Sequence, residues 1–125
     1  EVLVPSPSLA ELVAGRASRV DEIVSILKGI RVLSIQPFDE VIAIETGDRI
    51  AAAVARIPEA ERLPGWKVAM KYDAMIAATA VVRGAQAVYT TDGGIEKYLH
   101  GSDVKVVMIN DLPLPPEDPQ ISLPV

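Results

Sequence analysis

The stretch Asp73-Ala74-Met75-Ile76-Ala77-Ala78-Thr79-Ala80-Val81-Val82, closed by Gly84 and followed by Val88-Tyr89-Thr90-Thr91-Asp92, decides the fold. The run after Asp73 is apolar nearly all round, the pattern of a helix packed on most of its sides. Gly84 suits the position just past a helix end. Ala87 to Thr90 then reads as a short strand, Gly93-Gly94 as a turn, and the residues through Leu99 as a short helix. One acid opens the helix and another follows the strand.

Working outward, the same alternation covers most of the chain. Glu1 to Pro5 reads as a short buried strand stopped by proline, and Ser8 to Ala14 as a short helix before Gly15. A second helix is expected from Ser18 to about Lys28, with Val20, Ile23, Val24 and Leu27 on one face. Ile30 to Ile35 is β-branched and bounded by Gly29 and Pro37, hence a strand. Pro37 is placed to open a third helix to about Ile57, with Val41, Ile44, Ala51 and Val54 as its core face and Gly47 a weak point. Residues 58–70 are expected to be the longest loop, and the buried helix to start at Asp73. Val104 to Ile109 is the last strand. Strands alternating with helices imply a three-layer α/β/α domain around a parallel sheet, spanning residues 1–110. The tail, 111–125, carries five of the ten prolines and is expected to lie as an arm on the surface or on a partner.

Composition narrows the class. A chain of 125 residues accommodates one domain with a real core. Aromatics make up only 4%, so Ala, Val, Ile and Leu must fill the interior. A net charge of −5 argues against a sequence-independent nucleic-acid coat, but not against an enzyme that grips nucleic acid locally through metal ions. With no Cys, neither disulfides nor thiolate zinc sites can form. No apolar run approaches the ~18 residues of a membrane span, and no signal peptide is read. A soluble, cytoplasmic protein is the expectation.

In a parallel sheet, ligands bind beyond the carboxyl ends of the strands. Helices return antiparallel to the strands, so helix N-termini point to that same edge. Glu11 in the first turn of its helix, Asp73 at a helix start and Asp92 just past a strand are therefore expected to converge. Two carboxylates about 4 Å apart repel by roughly 4 kcal/mol at an effective dielectric near 20. A cluster of three must take up protons or recruit a cation. Oxygen-only ligands select a hard ion such as Mg²⁺ or Mn²⁺, which suits phosphodiester hydrolysis. Each acid also has a plain structural role open to it. Ser8-x-x-Glu11 matches a capping box, Asp73 matches an N-cap, and Asp92-Gly93 an ordinary turn.

Tyr72 to Ala80, then Gly84-Ala85, then Val88-Tyr89-Thr90-Thr91-Asp92 resembles the second half of a PIN domain. Upstream, Val4-Pro5 and Leu9-Ala10-Glu11-Leu12 look like that family's second strand and the helix carrying its next acid. The resemblance implies a nuclease that cuts single-stranded or looped RNA with Mg²⁺ or Mn²⁺. Among small members are VapC-like toxins, which are typically dimeric and paired with an antitoxin protein. It implies Glu11, Asp73 and Asp92 as metal-site acids and Thr91 as the small polar residue beside the site. The family's usual first strand, central in its sheet and ending in an Asp, has no counterpart here. Another peptide, another chain or a rearranged strand such as Gln120 to Val125 is expected to fill that slot.

Smaller signals complete the reading. Glu96, one helical turn past Asp92, is a candidate supporting acid. Lys67, Lys71, Arg83 and Lys97 are candidate phosphate contacts, the first two better placed by proximity to Asp73, with solvated surface charge the plain alternative. Trp66 is expected to pack under its loop and His100 to sit at a helix end or on the surface. A non-catalytic PIN-like interaction module is the alternative from another class. A receiver-like domain fits poorly, because the last strand ends in Asn110-Asp111 and not in a Lys.

Overall fold

The computed structural model describes residues 1–62 and 64–116, without the side chains of residues 66–70. Trp66, Lys67 and the tail strand expected at Gln120 to Val125 therefore fall outside the described side chains. The elements are β1 (Val2–Pro5), α1 (Ser6–Ala14), α2 (Val20–Gly29), β2 (Leu33–Gln36), α3 (Glu40–Arg56), α4 (Trp66–Val82), β3 (Ala87–Thr90) and β4 (Lys105–Met108). A 3-10 turn over Ala17–Arg19 leads into α2, and the expected short helix before Leu99 is 3-10 in form, over Gly93–Tyr98.

All strand pairing is parallel, as the β-α alternation requires. The expected single sheet is instead two pairs, β1 with β2 and β3 with β4. No described strand joins them, although α4 packs against both β1 and β3. The sheet is thus interrupted, in keeping with the expected gap at its centre.

Burial concentrates on the β3–β4 side. Ala53, Ala74, Ala77, Ala80, Val88, Ile95, Tyr98 and Leu99 form one buried cluster. Small residues at 74, 77 and 80 let α4 lie close to α3, its most extensive partner. By contrast β1, α2 and β2 contain no fully buried residue, and Val2, Ile26 and Val32 are exposed.

Two expectations about helices are corrected. The buried helix does not begin at Asp73: it starts at Trp66, after Gly65 in the left-handed region at φ 78°. From 66 to 82 no Gly or Pro interrupts the chain, so helix propagates backwards through residues 66–72, about 10 Å at ~1.5 Å per residue. Nor is the core face of α3 the one expected. Ile42, Thr46 and Ala53 are buried and Ile50, Val54 and Ile57 pack beside them, whereas Val41 and Ile44 are 60% and 62% exposed and Ala51 is exposed too. α3 carries two apolar stripes, and periodicity alone does not say which meets α4.

Asp39, not Pro37, sets where α3 begins. Its Oδ1 accepts from the Ile42 N–H at 2.9 Å, and its Oδ2 accepts from Arg83 Nη2 at 2.7 Å. One carboxylate therefore caps α3 and ties it to the far end of α4. The cap and the guanidinium both favour the ionised form, holding the carboxyl below its ordinary value. Two arginines of α3 reach across to the 93–98 turn: Arg49 Nη1 donates to the Tyr98 carbonyl at 2.7 Å and Arg56 Nη2 to the Lys97 carbonyl at 2.6 Å. Among the described residues no helix is long and apolar enough to cross a membrane.

Candidate functional site

β3 delivers Asp92 at its carboxyl end, and local hydrogen bonds fix it there. The Thr90 hydroxyl accepts from the Asp92 N–H and donates to the Asp92 carbonyl, both at 3.1 Å. Asp92 Oδ1 accepts from the Gly94 N–H at 2.9 Å. The turn role open to Asp92 is thus realised through that oxygen. A Cβ at residue 94 would stand 3.2 Å from Oδ1, so glycine there lets the carboxylate lie close over the turn.

Asp73 lies near the middle of an unbroken helix, two turns past its start, so it is not an N-cap; Gly65 holds that position. Its neighbour Ala74 is fully buried, and Asp73 itself is partly buried. Loss of water raises the Asp73 carboxyl above its ordinary value, and the negative charge of Asp92 raises it further. Lys97 opposes that shift, and Glu11 adds to it. Asp92, past the end of β3, and Glu11, on α1, thus both act electrostatically on Asp73 of α4.

Glu11 comes to this site free of the capping role. α1 starts at Ser6 with Pro5 in the cap position and no side-chain cap, so Ser8 is already inside the helix and Glu11 lies beyond its first turn. It is exposed. Among the described residues, no three His, Cys, Asp or Glu side chains are close enough to enclose an ion. Glu11, Asp73 and Asp92 offer oxygen donors alone. That chemistry fits a hard divalent cation, since Mg²⁺ binds through one or two carboxylates and keeps several waters.

The other expected residues separate. Thr91 is exposed and its side chain makes no hydrogen bond among the described residues, whereas Thr90 holds Asp92. Glu96 is exposed and is not among the charges that move Asp73. Lys71 is exposed, and it too leaves Asp73 unmoved. Among the described residues the cation that acts on Asp73 is Lys97, ranked lower on sequence because it is remote along the chain. Its Nζ lies 5.4 Å from the centre of the Tyr98 ring, over its face. Tyr98 was read only as part of a short helix. It is 1% exposed, and its hydroxyl has no hydrogen-bond partner among the described residues. Burial and the nearby Asp73 charge push that phenol up to about 12. The spacing Ile95, Tyr98, Leu99 marks an inward stripe; nothing local could reveal that the stripe abuts Asp73.

The sequence matches the PIN domain over residues 1–99, the span from β1 through the 3-10 turn that carries Lys97 and Tyr98. No curated protein and no solved structure gives a match to the chain. The parallel β-α alternation and a match over most of the length agree: this chain belongs to the PIN-domain family, whose fold is of the nuclease type.

Proposed function

We propose that the chain is a metal-dependent endoribonuclease in which Glu11, Asp73 and Asp92 hold Mg²⁺ or Mn²⁺ and RNA phosphodiesters are hydrolysed. The observation that carries this reading is the state of Asp73: a carboxyl partly withdrawn from water and raised by two further carboxylates, against which, among the described residues, Lys97 is the opposing cation. Such a group is poorly served by the protein alone, and a divalent ion relieves it. When bound, the ion would polarise the phosphate and a water molecule. The chain's own residues do the positioning. Thr90 and Gly94 lock Asp92, α4 carries Asp73 at the margin of the core, and Glu11 closes the set from α1. No protein nucleophile is required. The resemblance to VapC-like toxins supports a toxin that pairs with an antitoxin protein and with a second copy of itself.

A ribonuclease assay with added Mn²⁺, comparing the chain with Asp73→Asn, tests the assignment. Strong loss in the variant is expected, and equal rates overturn it. Glu11→Gln is expected to leave folding intact and weaken Mn²⁺ binding, because an amide is a poor ligand for a hard cation. The second reading, a non-catalytic interaction module, is favoured by the exposed Val41 and Ile44 on α3. It predicts no Mn²⁺ binding by calorimetry.

A further inference from the structure

A shallow hollow of about 460 Å³ begins one residue beyond Asp92, lined by Arg56, Gly93, Gly94, Glu96, Lys97 and His100. It uses none of the three acids. Arg56 is steered to its wall by the bond from Nη2 to the Lys97 carbonyl, 2.6 Å. Lys97 links the hollow to Asp73: it lines the one, and its charge acts on the other. The chain has one histidine and a net charge of −5, yet here an arginine, a lysine and that histidine gather beside an acidic site.

A metal held by the acids serves the scissile phosphate, whereas the neighbouring phosphates of the strand are favoured by positive charge of the protein's own beside the acids. We propose that this hollow seats an RNA phosphate next to the scissile one, held by Arg56 and Lys97, with His100 as a hydrogen-bond donor. The proposal rests on the ribonuclease reading and adds to it the direction in which the strand leaves the acids: past Gly93-Gly94 towards His100. Glycines at 93 and 94 keep that wall low, so a backbone can pass. The Glu96 carboxylate on the same wall repels phosphate, which confines the contact to the Arg56 and Lys97 side.

The test is fluorescence anisotropy of a short single-stranded RNA with the whole chain in EDTA, so that neither cleavage nor metal enters. Wild type, Arg56→Gln and Lys97→Gln are compared with Lys28→Gln, an exposed lysine on α2. Each removed phosphate contact is expected to lower the slope of log affinity against log salt by about 0.7, so the wild type's advantage shrinks about 2.6-fold between 50 and 200 mM salt. Lys28→Gln is expected to change neither quantity. Lys97 is exposed, so its variant keeps the test valid should Arg56→Gln fold poorly. Unchanged affinity and slope in Lys97→Gln and in folded Arg56→Gln overturn the hollow, even if Mn²⁺-dependent cleavage is observed. A reduced slope without any Mn²⁺-dependent cleavage keeps the hollow and removes the ribonuclease reading. RNAs with and without a 5′-phosphate separate an internal from a terminal phosphate: equal losses assign an internal one, and a loss confined to the phosphorylated RNA overturns the assignment to the strand's interior.

Discussion

Replacing Tyr98 by phenylalanine removes a single oxygen from the buried cluster between α3, α4 and the 93–98 turn. The ring stays, and with it the packing against the cluster and the face under Lys97. What is lost is a hydroxyl that is buried and has no hydrogen-bond partner among the described residues. An unpaired buried polar group costs roughly 1–3 kcal/mol of desolvation, and a shape-conserving apolar replacement recovers part of it. Tyr98→Phe is therefore expected to stabilise the chain by about 1 kcal/mol at neutral pH, or roughly 3–5 °C in Tm for a domain of this size. Urea unfolding should show a higher midpoint with an unchanged slope. Alkali supplies an independent arm. The unfolded phenol ionises near 10, whereas the folded one is raised to about 12. Below pH 10 both states keep the proton and Tyr98 adds no pH dependence. As pH rises from 10 to 12 the unfolded chain releases it while the folded chain holds it, so wild-type stability falls. The variant lacks this component, and its advantage should widen over that window. A variant about 1 kcal/mol less stable at neutral pH would refute the reasoning, because the hydroxyl would then be well bonded in the native state.

Asp73→Asn is expected to abolish cleavage and yet raise stability at neutral pH without metal. The folded carboxyl is raised, so the native state binds its proton more tightly and stability falls as pH rises through the window above the unfolded value. Two charges ~8 Å apart at an effective dielectric of ~40 repel by ~1 kcal/mol, and exposure reduces that, so the gain should be ~1 kcal/mol or less and vanish below about pH 4; a destabilised variant in EDTA at pH 7 contradicts it. Asp39 has the opposite sign: its folded carboxyl is lowered, so its stabilisation is present above the unfolded value and lost as pH falls through the folded one. Asp39→Ala should lower Tm at pH 7 and converge with wild type in strong acid; a difference that persists there would rule out the carboxylate as its cause. Hydrogen exchange tests the interrupted sheet. If another strand completes it, amides of β1 and β3 not bonded to β2 or β4 exchange slowly, and fast exchange along both strands means the two pairs stay separate.

Much of this protein is local and therefore legible from residue order. The apolar run 74–82 with Gly84 behind it specifies a buried helix, and Ala87 to Thr90 before Asp92 specifies a strand with an acid at its end. The expectation that the three acids converge came from strand and helix polarity alone, and Asp92 and Glu11 both act on Asp73. The inward stripe of α3 was not legible. Val41 and Ile44 are as apolar as Ile42 and Ile50, and a helix with two apolar stripes turns whichever one the rest of the core accepts. The release of Glu11 from capping depended on Pro5 and Ser6 starting α1 a half-turn early. Lys97 acting on Asp73, and Tyr98 buried beside it, unite residues about 25 positions apart. Local sequence determines how each segment bends and which residues it offers. Only the packing of α4 against α3, β1 and β3 decides which of those residues share a site, because charge and burial act through space and not along the chain.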